Sequence, residues 1–187
     1  MPPKAKISKE DIVNTAISMI KNGEDLNARN IASRLECSTQ PVFSNFATMD
    51  ELKNDVLKKC EEIYIEFTQK EIEKNDYPVY KMMGMAYIEF AKQEKELFKL
   101  LYMRKANDGS QSNSGLFDES IELLEKDLGL TKEDATLFHL EIWVFVHGIA
   151  SMHATGYLEL ERSLISKMLS DVYNGLKTQF VKKGSYI

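Results

Sequence analysis

Two short helical patterns lie between Asn27 and Leu52, and only Glu36, Cys37 and Ser38 separate them. A connection that short makes two helices cross at a steep angle, the arrangement in which the second helix fits the major groove of DNA. The first pattern, over 28–35, buries Ile31, Ala32 and Leu35. The second, capped by Ser38, turns Val42 and Phe46 inward and carries Pro41 in its first turn, where a missing N–H breaks no helical bond. This spacing constrains the N-terminal region to a small trihelical unit and points to nucleic acid as a partner.

The rest of the chain also reads as helix. Only 9 Gly and 4 Pro punctuate 187 residues, and no hairpin signal or internal repeat is present. Ser8 followed by Asp11 has the form of a capping box, and Ile12, Val13, Ala16, Ile17 and Ile20 then recur at helical spacing until Asn22-Gly23. Thr48 caps a fourth helix over about 50–74, ended by Asn75-Asp76-Tyr77-Pro78. Further helices fit 79–93 and 95–105. A polar, Gly/Ser-rich loop spans 107–115, and helices resume over 116–128, over 132–157 behind the Thr131 cap, and over 159–182. The expected fold is all-α, with a helix-turn-helix DNA-binding domain over 1–50 and a second helical domain over 51–187.

Charge divides unevenly. Residues 1–60 hold nine Lys/Arg against eight Asp/Glu, whereas the remainder holds fifteen against twenty-one, so the net −5 hides a less acidic N-terminal third. Cys37 and Cys60 lack metal-type spacing, and the polar, basic start MPPKAK has no secretory character; both suggest reduced thiols in a cytoplasmic protein. The longest apolar run, 142–146, is far too short to span a bilayer, so no membrane partner is expected. No phosphate loop, nucleophile elbow or carboxylate constellation marks an enzyme. His139, His147 and His153 are eight and six residues apart, not the four of a helical metal pair, so neither metal nor cofactor is expected.

The run from Ile31 to Leu52, IASRLECSTQPVFSNFATMDEL, resembles the recognition segment of the TetR/AcrR family of bacterial transcriptional regulators, loosely I-A-x-x-L-G-V-S-x-x-x-L-Y-x-H-F-x-S-K-E-E-L. The apolar positions, Ser38 and the acidic start of the next helix match. The pattern Trp143-x-x-x-His147-Gly148 is similar to one in a C-terminal subgroup of the family. Four positions depart: Glu36 replaces a turn Gly, Phe43 a phosphate-contacting Tyr, Asn45 a His, and Met49 a Lys that contacts the DNA backbone. Lysines 4, 6, 9 and 53 are placed to compensate.

The resemblance implies a homodimeric repressor released from a palindromic double-stranded operator by a small apolar or aromatic effector. The alternative is a helical ligand- or partner-binding protein with a weakened DNA-binding head. On residue chemistry, Gln40 and Asn45 suit bidentate pairing with adenine, Thr39 and Phe43 suit a thymine methyl, and Arg29 suits guanine or phosphate. With Lys6, Pro41, Ser44, Thr48 and Lys53 they make up the expected DNA-contacting set. Met83, Tyr87, Phe90, Phe98, Tyr102, Phe117, Phe138, Trp143 and His147 are candidates to line an effector pocket. Leu164, Met168, Val172 and Leu176, one i, i+4 ridge of the last helix, are the candidate dimer interface.

Overall fold

A computed structural model describes residues 7–104 and 115–183. Among these residues the chain is entirely helical: α1 (Lys9–Lys21), α2 (Ala28–Arg34), α3 (Gln40–Asn45), α4 (Met49–Glu73), α5 (Val79–Gln93), α6 (Lys95–Tyr102), α7 (Leu116–Leu128), α8 (Lys132–Thr155) and α9 (Arg162–Lys183). The loop expected over 107–115 falls outside the described residues, apart from Gly115.

Local chemistry accounts for the boundaries. Ser8 and Asp11 close a reciprocal capping box at the start of α1, with Asp11 N–H donating to Ser8 Oγ at 3.1 Å and Ser8 N–H to Asp11 Oδ2 at 2.8 Å. Thr48 Oγ1 accepts the Glu51 N–H at 3.1 Å, and Thr131 Oγ1 accepts that of Asp134 at 3.2 Å. Helix α8 stops at Thr155 rather than 157 because Gly156 turns left-handed, at φ +70°.

Contacts divide the chain into two compact units. The first falls within Met1–Ile63 and Glu96–Arg104, the second within Tyr64–Lys95 and Lys105–Ile187. In the first, the apolar stripe of α1 packs with α2 and α3. Ile12, Ala16, Met19, Ile31, Val42, Phe46, Leu52, Leu97 and Phe98 are among its fully or almost fully buried side chains. Leu35, expected inside, is only half-buried.

In the second unit α8 packs against α5, α7 and α9. Tyr80 OH lies 3.0 Å from His139 Nδ1, and two turns on Tyr87 OH lies 2.9 Å from His147 Nδ1. Both partners advance together along the sequence, so α5 and α8 run parallel, pinned by two tyrosine–histidine bonds. Phe138 is fully buried between Tyr173 and Phe180 of α9, with ring centroids 5.4 Å away in each case. Helix α8 has the length and hydropathy to cross a membrane, but its inner face, including Phe138, Ile142, Val146 and His153, is buried by neighbouring helices, as in the core helix of a packed unit.

Candidate nucleic-acid interface

The path from α2 to α3 is set by the last turn of α2. Leu35 is its C-cap, Glu36 follows in the left-handed region at φ +49°, and the N–H groups of Glu36 and Cys37 return to the carbonyls of Ser33 (3.2 Å) and Ala32 (3.0 Å). These two bonds make a Schellman ending, with glutamate at the position glycine normally takes. The departure from the family pattern at Glu36 is therefore absorbed as backbone strain, and the turn keeps its shape.

Helix α3 begins at Gln40; Thr39, not Ser38, holds the N-cap position, with helical dihedrals and no side-chain capping bond. Val42 and Phe46 are each 1% exposed and anchor the helix. This leaves Thr39, Gln40, Phe43 and Ser44 facing outward. Phe43 is 54% exposed, so its ring does not close the core. Gln40 presents its amide to solvent, and Ser44 Oγ donates to the Gln40 carbonyl at 2.9 Å while keeping its lone pairs for a partner. Arg29 is exposed and has no ion pair among the described residues. Pro41 is half-buried, Thr48 serves as a cap, and Lys6 lies outside the described residues.

Asn45 is a correction. It is half-buried and turned inward, with Nδ2 donating to the Pro41 carbonyl at 2.8 Å and towards the Ile7 carbonyl at 3.4 Å. Its amide hydrogens are spent within the chain and are not offered to a base. The expected compensation by lysines is also reduced. Lys53 Nζ pairs with Asp50 Oδ1 at 3.0 Å, and Lys9 Nζ lies 3.3 Å from Glu51 and 2.9 Å from Asp55. Hydrogen bonds donated to Asp55 and then to Glu51 push the Lys9 ammonium above its usual range, and Lys9 in turn holds the Asp55 carboxyl below its own.

The residues expected to line an effector pocket separate. Phe98 and Tyr102 sit in α6, whose apolar face (Leu97, Phe98, Leu101) is buried and which clusters with the first unit. In the second unit Met83, Tyr87, Phe90 and Phe138 are buried, and Phe117 and His147 are half-buried. Trp143 is 37% exposed and stacks on His147 at 5.1 Å and 19°. The His147 ring is held on both sides, Nδ1 against Tyr87 OH and Nε2 3.3 Å from Ser151 Oγ; burial lowers its pKa and raises that of Tyr87.

On α9, Leu164 is exposed and Met168, Val172 and Leu176 are half-buried, while Ile165 and Leu169 turn inward. Sequence reasoning missed the outer face of α8, where Leu137, Leu140, Val144 and Met152 are 39–64% exposed. Their spacing of three, four and eight was the available signal; the buried residues between them hid it by making the whole helix look like core. No His/Cys/Asp/Glu group suited to a metal occurs among the described residues.

A protein with unknown function from Rhodococcus sp. RHA1 superposes with a TM-score of 0.73 at 17% identity, over 97% of this chain and 100% of its own. A TetR-like transcriptional regulator from the same organism gives 0.63 at 17% identity, over 92% of this chain and 96% of its own. Both likenesses speak for the fold. No curated protein matches the sequence. Residues 81–170 match the family model of the Tetracyclin repressor-like C-terminal domain, a stretch running from α5 through α6, α7 and α8 to the first turns of α9. That stretch follows a helix-turn-helix unit in sequence, so the chain has the layout of the TetR fold, and its second half is similar to the Tetracyclin repressor-like C-terminal domain.

Proposed function

We propose that this chain is a homodimeric repressor that reads a palindromic operator through α3 and leaves it when a small apolar or aromatic effector binds the second unit. The first three helices and the start of α4 form the reading head, and the remainder of the chain carries the effector site and the dimer contact. One observation carries the reading. A six-residue helix is anchored by Val42 and Phe46 while its opposite face offers Thr39, Gln40, Phe43 and Ser44 to a partner, and Arg29, exposed on α2, has no ion pair among the described residues. Such a face combines hydrogen-bonding and methyl-contacting groups on an element short enough for a groove. A single head buries too little surface for selectivity, so two copies acting together are required. The exposed apolar faces of α8 and α9 are the surface for that pairing. Met83, Tyr87, Phe90, Phe117, Phe138, Trp143 and His147 remain the effector-lining set. The chain acts in the cytoplasm and has no catalytic role.

The second reading, a ligand- or partner-binding protein with a weakened head, draws on the commitment of Lys9 and Lys53 to carboxylates. Duplex selection from a random pool, followed by titration across salt, separates the two. The repressor reading expects a palindromic winner, steep salt dependence, and a loss of about 10-fold or more in affinity for Gln40→Ala at unchanged thermal stability. A selection that enriches no sequence removes the repressor reading.

A further inference from the structure

Three segments of the head meet at the C-terminal end of α3. Asn45 holds the Ile7 carbonyl just before α1. Lys9, the first residue of α1, reaches Glu51 and Asp55 on the opening turns of α4, and its ammonium stands 4.7 Å from the centroid of the buried Phe46 ring that ends α3. The other oxygen of Glu51 accepts the Ala47 N–H at 2.8 Å. One ammonium and one carboxylate therefore tie together the start of α1, the end of α3 and the start of α4.

We propose that Lys9 is a positioning residue for DNA recognition, fixing the angle at which α3 is presented and making no phosphate contact of its own. The proposal rests on the DNA-binding reading above. Helix α3 has only six residues and two buried anchors, so packing alone leaves its rotation about the Val42–Phe46 line weakly restrained. The cation over the Phe46 ring and the Asn45 bond to Ile7 brace that rotation from one side, and Glu51 braces it through Ala47 from the other. The local pairing argues against phosphate contact, because the Lys9 ammonium is already held by two carboxylates, one of which, Asp55, also pairs with Lys58 at 3.6 Å. An exposed ion pair contributes little to stability, so its effect belongs to orientation.

The test uses the intact protein, a duplex selected from a random pool, and a scrambled duplex of equal length. Lys9→Met is expected to lower affinity for the selected duplex about fivefold more than for the scrambled duplex and to keep the salt slope unchanged, while Lys9→Arg restores the preference. Asp55→Asn is the sharper variant and guards against a Lys9→Met that folds poorly. Removing a negative charge should tighten binding to every duplex by electrostatics alone, whereas loss of positioning weakens binding to the selected duplex only. Equal loss on both duplexes with a salt slope reduced by about one overturns the proposal in favour of a phosphate contact. Unchanged preference with a lowered melting temperature overturns it in favour of structural support. A wild-type chain with no preference between duplexes overturns the DNA-binding reading and this proposal together.

Discussion

Helices α3 and α8 each leave one face uncovered, and the two faces differ in kind. The outer face of α3 offers an amide, two hydroxyls and one phenyl ring; that of α8 offers Leu137, Leu140, Val144 and Met152. A polar face on a well-anchored short helix costs nothing in water and awaits a partner rich in hydrogen-bonding edges. An apolar face on a helix already packed on its other side is unfavourable in water until something covers it. Within one chain, then, chemistry separates a surface suited to a polyanion from one suited to protein.

The strongest way to break this comparison is to exchange the roles of the two sides of α8. Phe138→Ala, on the inner side, should destabilise the fold by about 3–5 kcal/mol, because it empties the space between Tyr173 and Phe180. Val144→Ser, on the outer side at 64% exposure, should change urea stability of the isolated chain by no more than about 0.5 kcal/mol while raising the dimer dissociation constant in sedimentation equilibrium. Similar losses of chain stability from both variants would mean that the outer face is covered from within.

Acid offers a second separation. All three histidines lie in the second unit, and burial holds His139, beside Tyr80 and Phe117, down at about 4. Its folded pKa is below the unfolded value of 6.5, so the unfolded chain binds the proton more readily. Stability from the neutral ring is complete above 6.5 and declines as pH falls towards about 4, by about 3 kcal/mol at most. In the first unit the depressed groups are Asp11, held by Ser8, and Asp55, held by Lys9. Their contribution is present above the ordinary value of 3.8 and is lost only as pH falls below it. Urea melts at pH 7 and 4.5, followed by Trp143 fluorescence, should show a lower midpoint at pH 4.5 that His139→Gln largely removes. An acid shift that survives this substitution would place the sensitivity elsewhere.

Much of the architecture was legible because its determinants are local. The bounds 79–93 and 116–128 coincide with α5 and α7 because Pro78 and Gly129 punctuate them within a residue or two. The start of α9 slipped from 159 to Arg162, since 156–161 form a connection in which the Leu160 N–H donates to His153 Nε2 at 3.3 Å, a bond from outside the segment. The same distinction governs the site. The outward placement of Thr39, Gln40 and Ser44 followed from the four-residue spacing of Val42 and Phe46. The inward turn of Asn45 did not, because its second acceptor, the Ile7 carbonyl, is 38 residues away in sequence. The place of α6 was illegible for a related reason: chain order put it with its neighbours, whereas its packing joins the first unit.

The smallest expected effect lies at the turn that aims α3. Glu36 occupies the left-handed region at φ +49°, is exposed, and contributes to the turn only through its backbone. For a residue with a Cβ that conformation costs about 1–2 kcal/mol, and glycine removes the cost while giving the unfolded chain more freedom, a penalty of about 0.4–1 kcal/mol. The difference is a net gain of a few tenths to about 1 kcal/mol, so Glu36→Gly should raise the melting temperature by a few degrees at most. Because both Schellman bonds come from main-chain groups, the turn should keep its angle and the preference for a selected duplex should persist. Val144→Ser, by comparison, should leave the melting of the isolated chain almost unmoved while weakening pairing. A Glu36→Gly variant that melts lower than the parent would show that the glutamate side chain holds the turn, and that the polar surface of the head extends beyond α3 into the turn preceding it.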